Sequence, residues 1–170
     1  MFNTTIHRPL RRFALFGVVG ALLAVPCAAK ETKVGQVGPF AIIKFTDDWD
    51  GKFNRCIASL DPLPTMLRFS LNNKRMYSVS VPAVATVPNP LVLIFDFNFA
   101  NQGAYSYDAK TDGKRLWAFF DEANLADIIK KGPAKLVIKV GQKTFQWSYP
   151  KGTLEKAIVA MDGCVESAGF

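Results

Sequence analysis

Histidine is almost absent from this chain. Its 170 residues hold one, His7, inside the N-terminal stretch "MFNTTIHRPLRRFALFGVVGALLAVPCAAK". That stretch has the layout of a secretory signal peptide: Arg8, Arg11 and Arg12, then an uncharged apolar run from Phe13 to Val25, then small residues. Cleavage after Ala29 would leave a domain with no imidazole. That excludes a Ser-His-Asp or Cys-His nucleophilic site, a zinc site built on histidine, and acid–base work by the side chain most often used for it. Long hydrophobic runs are scarce too. The N-terminal run falls short of the about 20 apolar residues a membrane span needs, and no second one of its length follows. The expected organisation is a signal peptide over 1–29 and a single domain over 30–170, periplasmic or secreted. The Arg11-Arg12 pair lacks the usual flanks of a twin-arginine signal, and Pro26 argues against a lipid-bearing Cys27.

Cysteine is the next scarcity, with three residues in all: Cys27, Cys56 and Cys164. Cys27 leaves with the signal peptide. The remaining pair, in an exported chain, reads as a disulfide joining Cys56 to Cys164, and a bridged cysteine neither attacks nor binds a metal. Positive charge is also thinner than the net +7 of the whole chain implies. Without the three leader arginines, 18 basic residues face 14 acidic ones, a net of about +4. That is far from the dense basic stripe that nucleic-acid binding requires. No nucleic-acid partner, cofactor or metal is expected.

What is present is β structure. In "AKLVIKVGQKTFQWSY" a turn at Gly141-Gln142 sets Val140 opposite Lys143, Ile138 opposite Phe145, Leu136 opposite Trp147 and Ala134 opposite Tyr149, so apolar residues share one face. In "TMLRFSLNNKRMYSVSV" a three-residue loop Asn72-Asn73-Lys74 is expected to set Phe69 opposite Tyr77 and Leu67 opposite Val79. Other strands are expected at Phe40–Phe45, Phe53–Leu60, Leu91–Phe97, Ala104–Tyr107 and Arg115–Phe120. The proline-rich "VPAVATVPNP" is excluded from a central strand. Two helices are predicted. One runs over "DEANLADIIKKGP", capped by Asp121 and stopped by Gly132-Pro133; the other starts at Thr153, carries Leu154, Ala157, Ile158 and Met161 on one stripe, and stops at Gly163. The fold class is therefore mainly β, an antiparallel β-sandwich of about nine strands with two short helices and one disulfide.

Trp49 ahead of "RCIAS", the strand "LVLIFDF", the short helix ending "KKGP" and the closing unit "FQWSYPKGTLEKAIVAMDGCV" resemble small exported bacterial β proteins, among them the invasion-associated locus B family. The resemblance spans about residues 34 to 165 and lacks the mid-chain cysteine pair expected there. It implies a periplasmic or cell-surface β-sandwich with no known catalysis, acting in host interaction or as an inhibitory partner. It supplies no active-site residues.

Candidate sites are correspondingly few. Asp47, Asp48 and Asp50 precede Gly51, but Ser59 stands where a calcium loop places its closing Glu, so the segment reads as an exposed acidic turn. Phe95, Phe97 and Phe99 alternate with polar residues, as the buried face of a strand does. Tyr105 and Tyr107, on a more polar stretch, are the candidate exposed aromatics. Arg68, Lys74 and Arg75 form a basic hairpin that suits an anionic partner. Two functions result. The first is an exported, non-enzymatic binding protein whose partner is another protein or a cell-envelope component. The second is an envelope enzyme using carboxylates or a Ser-Lys pair on glycan or peptide substrates, for which a pocket lined by two close carboxylates, or by Ser and a buried Lys, would be the sign.

Overall fold

The computed structural model describes residues 30–47, 50–60, 66–96, 104–120, 124–125 and 134–170. The expected signal peptide lies outside them, as does most of the first expected helix, of which Asn124 and Leu125 are helical. The described strands are β1 (Lys30–Val37), β2 (Phe40–Thr46), β3 (Phe53–Leu60), β4 (Leu67–Asn72), β5 (Tyr77–Pro82), β6 (Val92–Asp96), β7 (Tyr105–Thr111), β8 (Arg115–Phe120), β9 (Lys135–Val140) and β10 (Lys143–Ser148); the helix α1 spans Thr153–Glu166.

All ten strands pair antiparallel in one sheet, in the order β1-β2-β3-β4-β5-β8-β7-β6-β9-β10. The two layers expected from the strand pattern are therefore one continuous sheet. It curls on itself, because Phe40 on β2 meets Tyr149, just past β10, with ring centroids 5.4 Å apart. The enclosed side chains form one core from Phe40 and Ile42 through Phe69, Val79, Leu116 and Phe95 to Ile138 and Trp147. Burial of this apolar surface drives the curl, since each half of the sheet covers the other's inner face.

The β9–β10 hairpin has the expected register, with Phe145 opposite Ile138 and Trp147 opposite Leu136, and the Tyr149 N–H donates to the Ala134 carbonyl at 3.0 Å. The β4–β5 hairpin does not. Phe69 pairs with Val79 and Leu71 with Tyr77, so the turn lies one residue further along than expected. Asn72 stays in the ladder, its N–H donating to the Met76 carbonyl at 3.3 Å, and Arg75 takes the left-handed position of a tight turn at φ 59. Asn72 Oδ1 fixes this turn by accepting from the backbone N–H of Lys74 at 2.9 Å and of Met76 at 3.0 Å, and Leu71 is fully buried. Strand β1 was not expected at all. Its residues are mostly exposed, and a bulge at Val34 breaks its pairing with β2, so no period-2 alternation marks it.

Cys56 and Cys164 are bonded, with Cα atoms 6.1 Å apart. The helix does not stop at Gly163, as its glycine suggested, but continues through Cys164 to Glu166. Met161, Cys164 and Val165 are all buried, so the apolar stripe carries on past the glycine. Packing against β1 to β4 outweighs a glycine penalty of about 1 kcal/mol. The chain reaches that position by a close crossing: Thr153 Cγ2 lies 2.8 Å from where a Cβ on Gly38 would be, and Gly38 has φ +53. None of the helices among the described residues is long and apolar enough to cross a membrane.

Tyr149 carries a testable consequence of this packing. It is 6% exposed, and its hydroxyl is buried with no hydrogen-bond partner among the described residues. Burial raises its pKa well above the ordinary phenol value of 10.0. A folded pKa above the unfolded one means this contribution to stability is complete below about pH 10 and is lost as pH rises toward the folded value. Because its buried hydroxyl is unmatched, Tyr149→Phe should stabilise the protein by about 1 kcal/mol at neutral pH. Urea titrations at several alkaline pH values should show the variant's advantage over the parent growing above about pH 10 by up to about 1.4 kcal/mol per pH unit. An unchanged difference across that range would contradict the assignment.

Candidate functional site

The face of the sheet turned away from the core is floored by serines. Ser59, Ser70, Ser78 and Ser80 are all buried, and the Oγ atoms of Ser70 and Ser78 lie 2.6 Å apart across the β4–β5 ladder. Larger side chains stand around these small ones. Arg55 on β3 and Trp117 on β8 have β4 and β5 between them, yet the Arg55 guanidinium lies 5.5 Å from the centre of the Trp117 ring. The two reach toward each other over the serine floor and bound an open groove of about 550 Å³. Phe53, Asn54 and Phe119 line its sides, and Asn72, Asn73, Lys74 and Met76 form the wall at the hairpin tip.

Both members of the arch are held in place. Arg55 Nε donates to Asn54 Oδ1 at 2.7 Å, and partial burial pulls its pKa below the usual guanidinium value without threatening its charge. Asp112, also lining the groove, accepts from the backbone N–H groups of Arg115 at 2.7 Å and Lys114 at 2.8 Å. Those bonds, together with the indole N–H of Trp117, hold its carboxyl below the ordinary range. Behind them Arg115 donates to Ser80 Oγ, Ser80 O and Met66 O at 2.9, 2.8 and 2.9 Å. The strand carrying Trp117 is thus fixed at its N-terminal end.

The site residues expected from sequence do not assemble into one surface. Lys74 lines the groove wall and is exposed. Arg75, at φ 59, faces the helix instead, with Nη1 2.8 Å from Asp162 and Nη2 3.8 Å from Glu166. Arg68 is largely covered: it lies 3.8 Å from Glu31 and over the Phe45 ring at 5.9 Å. Tyr107 is not an exposed aromatic. Its ring packs edge-on against Phe120 at 4.7 Å and Phe95 at 5.6 Å, and Tyr105 also packs on the core. β7 pairs with β6 along Tyr105–Asp108 and with β8 from Ala109 onward, which turns both tyrosines inward. Replacing them would test packing and not binding. The Asp50 carboxylate bonds Lys52, at 2.7 Å through Nζ and 2.9 Å through the backbone N–H, as an acidic turn does.

Arg55, Trp117, Phe119, Met76 and the two serines had no signal in the sequence. Each is an ordinary residue of an alternating strand or loop, and only sheet order brings β3 and β8 to one groove. A Ser-Lys pair of the catalytic kind would need a buried amine against a hydroxyl. Lys74 shares the groove with Ser70 and Ser78, but its side chain is exposed and makes no hydrogen bond to either among the described residues. No family model, no curated protein and no solved structure matches the chain.

Proposed function

We propose that this chain is an exported, non-enzymatic binding protein, periplasmic or secreted after loss of residues 1–29, and that its partner, a protein or a component of the cell envelope, docks in the groove under the Arg55–Trp117 arch. The arch carries this reading. A cation and an indole held against each other beside exposed amide and apolar groups form a surface suited to binding. The absence of histidine beyond His7 and the bonding of Cys56 to Cys164 agree with it, because they remove the commonest nucleophiles and bases. The resemblance to the invasion-associated locus B family points the same way, toward host interaction or inhibition of another protein.

The test is affinity capture from envelope extracts, with the oxidised domain 30–170 as bait beside its Ser70→Val, Ser78→Val double variant. Both hydroxyls of the pair are replaced together, so neither is left unmatched and the fold should hold, while the added methyls raise the groove floor. A stoichiometric partner retained by the parent and lost by the variant is expected. Equal retention by a folded variant would move the binding surface elsewhere.

Export has its own measurement. The mature N-terminus is expected at Lys30, because charged, apolar and small-residue regions stand in signal-peptide order. Intact mass of the protein recovered from the periplasm or medium decides it; a mass that includes residues 1–29, or an acylated Cys27, would refute it.

A further inference from the structure

We infer that the groove takes an acidic segment of a partner protein, one carboxylate side chain flanked by an apolar one. This deepens the docking reading above and rests on it. Arg55 is the centre of the argument. Its Nε is committed to Asn54 and its face to Trp117, and no carboxylate among the described residues forms an ion pair with it. Asp112, the acidic residue lining the groove, already accepts from two backbone N–H groups of the β7–β8 turn and from the indole of Trp117. Lys74 adds a second positive charge at the wall. A guanidinium held by Asn54 and Trp117, with its outer nitrogens uncommitted among the described residues, matches a carboxylate in two-point geometry.

The rest of the rim selects a protein over an acidic glycan. Sugars bind by laying a ring flat on an open aromatic face, and here Arg55 occupies a face of Trp117. What the rim exposes is apolar and irregular: Met76 is 47% and Phe119 48% exposed. Arginine, methionine and aromatic residues are the types that protein interfaces concentrate. A flexible thioether beside a phenyl ring fits a neighbouring apolar side chain better than a pyranose. The partner's carboxylate would meet Arg55 while its neighbouring Leu, Ile, Phe or Met covers Met76 and Phe119.

A randomised peptide library displayed on phage, panned against the oxidised domain 30–170, tests this. The enriched sequences should carry Asp or Glu beside Leu, Ile, Phe or Met. A synthetic consensus peptide should bind about tenfold or more tightly than its twin with the acid replaced by its amide, by calorimetry. Arg55→Gln protein should lose that factor and no longer distinguish the twins. A consensus without an acid, equal binding of the twins to the parent, or a folded Arg55→Gln variant that still tells them apart would overturn the inference. The comparison of twins on the parent protein stands even if the variant does not fold. Tetragalacturonate, titrated into isotope-labelled protein, separates the two levels of the argument. Shifts of the Trp117 and Arg55 side-chain signals with the sugar, and no acidic consensus among peptides, would overturn the acidic segment and leave the groove as a docking site. No response of those signals to any probe would remove both.

Discussion

Replacing Cys56 and Cys164 together by alanine should lower the melting temperature by about 15 °C. The bond links residues 108 apart in sequence, and constraining the unfolded chain over such a loop stabilises by about 4 to 5 kcal/mol in the chain-entropy account. For a domain of this size each kcal/mol corresponds to about 3 to 4 °C. The consequence is large because whole domains are held by only about 5 to 15 kcal/mol. It also has a location. Cys56 is fully buried on β3, opposite Leu71 of β4, and Cys164 lies in the last turns of α1, so the bond fastens the helix to the half of the sheet that carries Arg55. Calorimetry of the oxidised parent against the double variant measures the effect. A drop below about 3 °C, or alkylation of both thiols in the exported protein without prior reduction, would contradict it.

Trp117→Ala should weaken partner binding by about 30-fold while leaving the fold in place. Ala118 and Leu116 on either side of it are completely buried, but Trp117 points away from the core and lines the groove with Ser70 and Ser78. Its removal leaves the inner packing untouched and strips the arch of the ring against which Arg55 is held. Central aromatic anchors of this kind are worth about 2 kcal/mol or more when truncated. Lys74→Ala, at the exposed wall, should cost only about two- to threefold, mainly through slower association at low salt. The contrast between the two variants, measured on the captured partner with melting temperature as the fold control, is the informative quantity. Equal, small effects from both would place the energetic centre of binding outside the groove.

Several elements could be read without the structure because their cause is local. The β9–β10 hairpin is written in alternation around a two-residue turn, and its register in the sheet is the expected one. Strands β3 and β8 begin and end where their patterns do. The disulfide followed from counting, since setting Cys27 aside with the expected signal peptide leaves one pairing. Other features depended on competition between local and distant contacts. The Gly163 signal lost to the buried stripe of Met161, Cys164 and Val165, and the Asn72 side chain holds the β4–β5 turn one residue beyond the place that pairing alone predicted.

The amino-acid sequence by itself determined the class of this protein: mainly antiparallel β, with one covalent bond joining Cys56 to Cys164. Tertiary structure alone decided the candidate surface. Arg55 and Trp117 are 62 residues apart in sequence, and only the pairing of β5 with β8 across the skipped strands β6 and β7 brings them over Ser70 and Ser78. Periodicity tells which residues share a face of one strand, whereas the order of strands in a sheet is set by long-range burial of all the faces at once. The same burial turned Tyr105 and Tyr107 inward and left Met76 and Phe119 at the surface.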